Sequence, residues 1–262
     1  MRALIVLTLA ILTFSCQSGG PPAAAPREVR IAAAADLRFA LDEIVADFQN
    51  RRPELKVSVT YGSSGNFFAQ LQNEAPFDLF LSADVEYPHR LVESGPAERD
   101  SEFIYAVGHL VVWAPRSSPL DVEKLGSKVL LDASVKKIAI ANPKHAPYGW
   151  AAEAALKHLD MHEKVSQKLV YGDNVAQTAQ FVQSGSADVG IIALSLALSP
   201  TLREQGKYAE VPGDAYPRMD QGGVILVKAK DREATAAFRD FLLSADGQVV
   251  LKRYGFGLPE KK

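Results

Sequence analysis

The sequence predicts an α/β protein of two lobes, each a mostly parallel sheet flanked by helices, from three observations. Apolar strand-like runs alternate with amphipathic helical stretches, the pattern of parallel strands joined by helical crossovers. Four junctions share one design, in which an apolar run stops at a small polar turn and a helix starts at once. They are Ile31-Ala-Ala-Ala-Ala-Asp36-Leu37, Val57-Ser-Val-Thr-Tyr61-Gly-Ser-Ser64-Gly65-Asn66, Ile138-Ala-Ile-Ala-Asn142-Pro-Lys-His-Ala-Pro-Tyr148-Gly149-Trp150, and Leu169-Val-Tyr-Gly-Asp173-Asn174-Val175. Finally, two interrupted β runs, at 103–114 and 218–228, bracket the second half of the alternation. A lobe built from both ends of the chain, 28–107 with 217–262, then receives a second lobe, 108–216, through a hinge of two extended crossovers.

The chain opens with Met1-Arg2, an almost unbroken apolar run from Ala3 to Phe14, and Ser15-Cys16. A charged start and an apolar stretch too short to span a bilayer read as a signal peptide, residues 1–16. Cys16 is the only cysteine, so no internal disulfide forms. A cysteine directly after such a run is the usual acceptor of a bacterial lipid anchor, with ordinary cleavage nearby or an incidental cysteine as the alternatives. Residues 17–27, rich in Gly, Ala and Pro, read as a flexible tether.

In the first lobe, strand Val29–Ala34 leads to helix Leu37–Asn50, whose Leu37, Leu41, Ile44, Val45 and Phe48 form one apolar stripe. Strand Lys56–Tyr61, helix Asn66–Asn73, strand Leu79–Ser82 and helix Tyr87–Ser94 follow, then the long β run from Phe103. A second αβ series runs from about Lys137 to Val211. A β run at Gly222–Val227 and helices at Arg232–Leu243 and Gly247–Tyr254 close the chain. The 29 basic and 31 acidic residues give a net charge of −2, which becomes −3 when Arg2 leaves with the leader. No block of like charge points to nucleic acid or to a membrane surface.

The four junctions carry the functional argument. A helix start exposes backbone N–H groups with no partner inside the helix, and the helix dipole adds partial positive charge there. Each such turn is a small anion site, and several on one cleft make an oxyanion receptor. In sheets of this kind ligands bind at the C-terminal ends of the strands, where these turns lie.

Other residues admit two readings each. Asp36 either caps the helix that follows it or serves as an acceptor inside the pocket. Gly62-Ser63-Ser64-Gly65 resembles a nucleophile turn, but Asn66 breaks the G-x-S-x-G spacing and no histidine signature supplies a base. His145 either lines the cleft or lies on a surface loop. His158 and His162, four apart, would clamp a metal only on one continuous helix with a third ligand. Arg38 points to solvent, with anion steering as the alternative. Trp113 and Trp150 read as packing residues, Trp150 alternatively walling the cleft. Asp78 and Asp84 read as turn caps.

At these same turns the chain resembles the substrate-binding proteins of molybdate ABC transporters. The matching pieces are Ala-Ala-Ala-Asp36-Leu37, Gly62-Ser-Ser64-Gly65 with Ala69-Gln70-Leu71, Phe77-Asp-Leu-Phe-Leu-Ser-Ala-Asp84, Asn142-Pro-Lys-His-Ala-Pro147-Tyr-Gly149, Asn174-Val175 and Lys252-Arg-Tyr-Gly-Phe256, in order across residues 28–258. The resemblance implies a two-lobed periplasmic-binding-protein fold of type II. It also implies a dehydrated tetrahedral molybdate or tungstate held by backbone N–H and hydroxyl groups, with no cofactor and no protein-bound metal. Carried over by position, the ligand contacts are Asp36, Ser64, Tyr148 and Val175, the last two through N–H, with Ala35 and Ser63 adjacent. The chain departs from the pattern twice. Many members have serine where Asp36 stands, and a tyrosine hydroxyl where the Ile191-Ile192-Ala193 strand end places Ala193.

The resemblance further implies a periplasmic or otherwise extracytoplasmic monomer that is not an enzyme. It would hand its ligand to an ABC permease, touch the membrane only through a lipid anchor at Cys16, and bind no nucleic acid. Two rivals remain open. One is a receptor for another tetrahedral oxyanion, such as phosphate, arsenate, sulfate or a phosphonate. The other is a serine hydrolase built on Ser63 or Ser64.

Overall fold

The structure is a computed structural model that describes residues 27–259. The expected signal peptide, the anchor at Cys16 and residues 17–26 of the tether lie outside the described residues. Arg27, expected as the last tether residue, is instead the first residue of a strand. Its backbone pairs with Leu55 and its guanidinium bonds Asp231 and Glu233, which fixes a position that composition alone marks as linker.

The first half of the chain forms β1 (Arg27–Ala34), a 3-10 turn (Ala35–Leu37), α1 (Arg38–Arg51), β2 (Leu55–Gly62), α2 (Ser64–Gln72), β3 (Leu79–Ser82), α3 (Glu86–Ser94) and β4 (Phe103–Gly108). It crosses to a second sheet with β5 (Leu110–Pro115), α4 (Val122–Leu125), β6 (Ile138–Ala141), α5 (Pro147–His158), α6 (His162–Val165), β7 (Leu169–Gly172), α7 (Val175–Gln183), β8 (Val189–Ala193), α8 (Leu194–Ala197), α9 (Pro200–Gln205) and β9 (Gly206–Glu210). It returns through 211–218 to β10 (Met219–Ile225), α10 (Arg232–Leu243) and α11 (Ala245–Arg253).

The strand orders are β2-β1-β3-β10-β4 and β7-β6-β8-β5-β9. In each sheet four strands point one way and one opposes them, so both sheets are mixed but mostly parallel in direction. The opposed strand is β10 in the first sheet and β5 in the second. Each is the first strand its sheet receives after a crossover, because a chain arriving from the other sheet enters at the shared end. The β run that reads as continuous from Phe103 to Ala114 therefore splits at Gly108–His109, where the chain changes sheets.

The apolar stripe of α1 is buried at Leu41, Ile44 and Phe48, and it packs with Phe238, Leu242 and Leu251 of the C-terminal helices over the first sheet. Phe48 meets Phe238 edge-on with centroids 5.2 Å apart, a geometry that adds about 0.5–1.5 kcal/mol beyond burial. The end of the chain is thus packed against its start. A second core surrounds the other sheet with Val111, Trp113, Ile140, Leu156 and Ile192. It continues without a break into Ala34, Ala35 and Ala83 of the first sheet, so the lobes meet through an apolar contact beside the crossovers.

A cavity where four helix starts converge

The strands β1, β2, β6 and β7 end at the four polar turns, and one cavity collects all of them. Ala34, Ala35 and Asp36 line it after β1, Gly62, Ser63 and Ser64 after β2, Ala146, Pro147 and Tyr148 before α5, and Asn174 and Val175 at the start of α7. Ala83 completes the wall. All six residues expected at the site, Asp36, Ser64, Tyr148, Val175, Ala35 and Ser63, line this one space, drawn from four turns and two lobes. Ala193 is not among the lining residues. The volume is about 10 Å³, the scale of a single small group. No lysine or arginine lines it.

Each donor follows from local structure. Ser64 is buried at the start of α2, and its hydroxyl oxygen accepts from Ala83 N–H at 3.0 Å. Its proton is then left to donate elsewhere. Ser63 is the cap of α2, its hydroxyl accepting from Asn66 N–H at 3.4 Å. At α7 the Asn174 side chain takes the N–H groups of Ala176 and Gln177, each at 3.0 Å. The N–H of Val175, first in that helix, has no partner inside it. Pro147 starts α5 where its missing N–H costs nothing, so Tyr148 supplies the first donor of that turn.

Asp36 does not cap a helix. The chain turns through a 3-10 segment before α1, and neither segment has a side-chain cap. The carboxylate instead points into the interface between the lobes and is 1% exposed. Its Oδ2 accepts from Gln221 Nε2 at 2.6 Å, and the same nitrogen lies 3.2 Å from the Tyr148 hydroxyl. Burial raises the Asp36 pKa to about 6, opposed by hydrogen bonding from Gln221, from Tyr148 and from the N–H groups of Asp36 and Leu37. Burial likewise pushes the Tyr148 phenol well up, with the Asp36 charge adding to it. Gly108, at the crossover, makes room for this cluster. A Cβ there would lie 2.5 Å from the Tyr148 hydroxyl and 2.9 Å from Gln221 Nε2.

A second group of contacts bridges the lobes at the cavity mouth. Ser63 Oγ lies 3.1 Å from His145 Nδ1, and His145 Nε2 lies 3.7 Å from Asp173. Gly65 N–H donates to the His145 carbonyl at 2.9 Å, and the Asn66 amide reaches the Asp173 carboxylate at 3.3 Å. His145 is therefore a cleft residue rather than part of a free surface loop. The Ser63–His145–Asp173 series has the composition of a catalytic triad but not its arrangement. The carboxylate is more than half exposed, its contact with the ring is long, and Ser63 is committed to capping α2.

The remaining expectations resolve simply. His158 ends α5 and His162 begins α6, with Asp160 at a positive φ of 54° between them, so they share no helix face. Among the described residues no group of three His, Cys, Asp or Glu is placed to hold a metal. Trp113 is core, 1% exposed, whereas Trp150, read as a packing residue, is 52% exposed on the cleft rim beside Asp84, Glu86 and Met219. Arg38 is exposed, 5.9 Å over the Tyr61 ring. Asp78 binds Arg30 and the N–H of Lys230, and Asp84 caps the start of α3 through Glu86 N–H. Gln221 was not singled out from the sequence. Its only signal is a polar side chain near the start of a β run, beside Asp220.

Two α/β lobes joined by two crossovers and meeting at a cavity of helix-start donors define a solute-binding receptor. The chain belongs to the family of bacterial extracellular solute-binding proteins, whose model matches residues 29–257. Within that class it is similar to the molybdate-binding protein ModA of Azotobacter vinelandii, 39% identical over 90% of this chain and 92% of that one. The molybdate-binding protein ModA of Rhodobacter capsulatus is 37% identical over 89% of each chain. The solved structure of the periplasmic molybdate-binding protein of A. vinelandii superposes with a TM-score of 0.83 at 29% identity, covering 88% of this chain and all of that one. The fold is thus the two-lobed periplasmic-binding-protein fold. Among the described residues no helix is long and apolar enough to cross a membrane.

Proposed function

We propose that the protein captures molybdate or tungstate between its lobes and delivers it to an ABC permease. The observation that carries this reading is the cavity, where the helix-start N–H groups of Tyr148 and Val175 from one lobe and the Ser64 hydroxyl from the other line a space of about 10 Å³ with no lysine or arginine in its wall. An oxyanion there is held by charge-assisted hydrogen bonds and by the positive ends of α2, α5 and α7, rather than by a salt bridge. Ser64, Tyr148 and Val175 are the donors, Ala35 and Ser63 shape the wall, and Asp36 sets the charge the anion meets. Because α2 belongs to one lobe and α5 and α7 to the other, the anion binds the closed state best and shifts the population towards it. The moving bodies are 28–107 with 217–262, and 108–216. The closed form is what a permease would recognise.

The same reading makes the protein a periplasmic monomer that binds cargo without transforming it, carries no cofactor, and is tethered through Cys16. The mouth contacts of Ser63, His145 and Asp173 serve closure rather than hydrolysis. Calorimetric titration of the protein with molybdate, tungstate, sulfate, phosphate and arsenate tests it. One site with the two metal oxyanions bound most tightly is the expected result. Binding of phosphate or arsenate with no heat from molybdate or tungstate would replace this reading with the rival oxyanion receptor.

A further inference from the structure

The placement of Asp36 raises a question the oxyanion reading does not answer: why a buried carboxylate lines a cavity meant for an anion. Among the described residues no lysine, arginine or histidine forms an ion pair with it. Two atoms of the cluster, Asp36 Oδ1 and Gln221 Oε1, are buried without a well-formed hydrogen bond, although the Tyr148 hydroxyl and the Asp36 and Leu37 N–H groups lie near enough to lower the carboxyl pKa. An ionised carboxylate and an amide carbonyl are both acceptors, so they cannot satisfy each other. Turning the amide over only moves the conflict, because its oxygen would then face Oδ2 in place of the nitrogen that now donates at 2.6 Å. One proton on Oδ1 removes the conflict. The acid O–H would supply the donor that Gln221 Oε1 lacks, while Gln221 Nε2 goes on donating to Oδ2.

We propose that Asp36 is a specificity-determining residue that takes up one proton from solution when a dianion binds, the proton bridging its carboxyl group to Gln221. This rests on the oxyanion reading given above. The other groups packed on Asp36 cannot take that role. Tyr148 of α5 and Tyr105 of β4 are phenols held neutral by burial. The Tyr105 hydroxyl donates to the Ser82 carbonyl, and the Ser195 hydroxyl of α8 donates to the backbone carbonyl of Asp36. Burial already favours the neutral acid, with a pKa of about 6, and a dianion in the cavity pushes in the same direction as a like charge. The proton balance is one H⁺ consumed per dianion bound, with no bond to the anion made or broken. The sign follows: a bound state that holds its proton more tightly than the free state loses affinity as pH rises, by up to about tenfold per unit. Asparagine at this position would mimic the protonated acid, its amide satisfying both orphaned atoms.

Calorimetry of molybdate binding at pH 7, in buffers of differing ionisation enthalpy, reads proton uptake directly. Wild type is expected to take up a substantial fraction of one proton per anion and to bind several-fold more weakly at pH 8 than at pH 6. Asp36→Asn is expected to take up none and to bind equally at both. Molybdate binding by wild type with no net proton exchange overturns the inference and leaves the receptor reading standing, whereas no binding of either metal oxyanion overturns both. Uptake that persists in Asp36→Asn and vanishes in His145→Gln would also overturn it. The buffer series uses the wild-type chain, so it decides the matter even when a variant folds poorly.

Discussion

Two polar clusters join the lobes, and they differ in their relation to water. At the crossover, Asp36, Gln221 and Tyr148 are buried together, with two polar atoms unmatched. At the mouth, Ser63, His145, Asn66 and Asp173 use similar groups at similar distances, but Asp173 is mostly exposed and the contacts are screened. A polar group left unpaired in a dry site costs about 1–3 kcal/mol, whereas an exposed pair contributes about 0–1 kcal/mol. On the proposed reading, the crossover cluster would set which charge the cavity accepts, and the mouth would set how easily the lobes part.

The comparison is sharpened most by Asp36→Asn. A carboxylate whose folded pKa is raised from 3.8 to about 6 costs stability where it is ionised. The contribution of this group is most favourable below its unfolded value and falls as pH rises from about 4 through about 6. At about 1.4 kcal/mol per unit, the full cost above that window is about 3 kcal/mol. Asp36→Asn is expected to recover up to that amount at pH 8 and much less at pH 4, as measured by urea unfolding at both. Equal effects at the two pH values would mean that the buried charge is not what distinguishes this cluster.

The next largest effect falls on the backbone donors. Val175→Pro removes the first N–H of α7, at the cavity wall, and is expected to weaken molybdate binding by about 1.5–3 kcal/mol, while Val175→Ala stays close to wild type. Equal losses in the two variants would assign the effect to packing. At the mouth, a Cβ on Gly65 would lie 2.6 Å from the His145 carbonyl. Gly65→Ala is therefore expected to hold the lobes apart, giving a larger radius of gyration with ligand by X-ray scattering and weaker binding without touching the anion. The smallest change is His145→Gln, expected to cost no more than about 1 kcal/mol of affinity and to lose that cost in high salt. A larger, salt-insensitive loss would place His145 with the buried cluster instead.

The legibility of these two clusters in the sequence also differs. The turns at Asp36, Ser64, Tyr148 and Val175 were readable because strand, cap and helix start are local patterns a few residues long. Leu79–Ser82 and Arg232–Leu243 were found at their observed bounds for the same reason. The cap expected at Asp36 failed because one 3-10 turn intervenes before α1, a shift of two residues that reverses where the carboxylate points. Gln221 was invisible because Asp36 lies 185 residues away and nothing in a strand pattern marks that contact or the one with Tyr148 of the other lobe. His145 and Trp150 were ambiguous because their surroundings exist only once the lobes are brought together.

The central claim is that a dehydrated oxyanion sits where the four helix starts converge. A crystal structure of the protein grown with molybdate, phased on the anomalous signal of the metal, tests it most directly. The account expects one strong peak inside the cavity, with anion oxygens about 2.7–3.2 Å from the Ser64 hydroxyl and from the N–H groups of Tyr148 and Val175. A fully occupied peak elsewhere, or an ordered complex whose cavity contains only water, would contradict it.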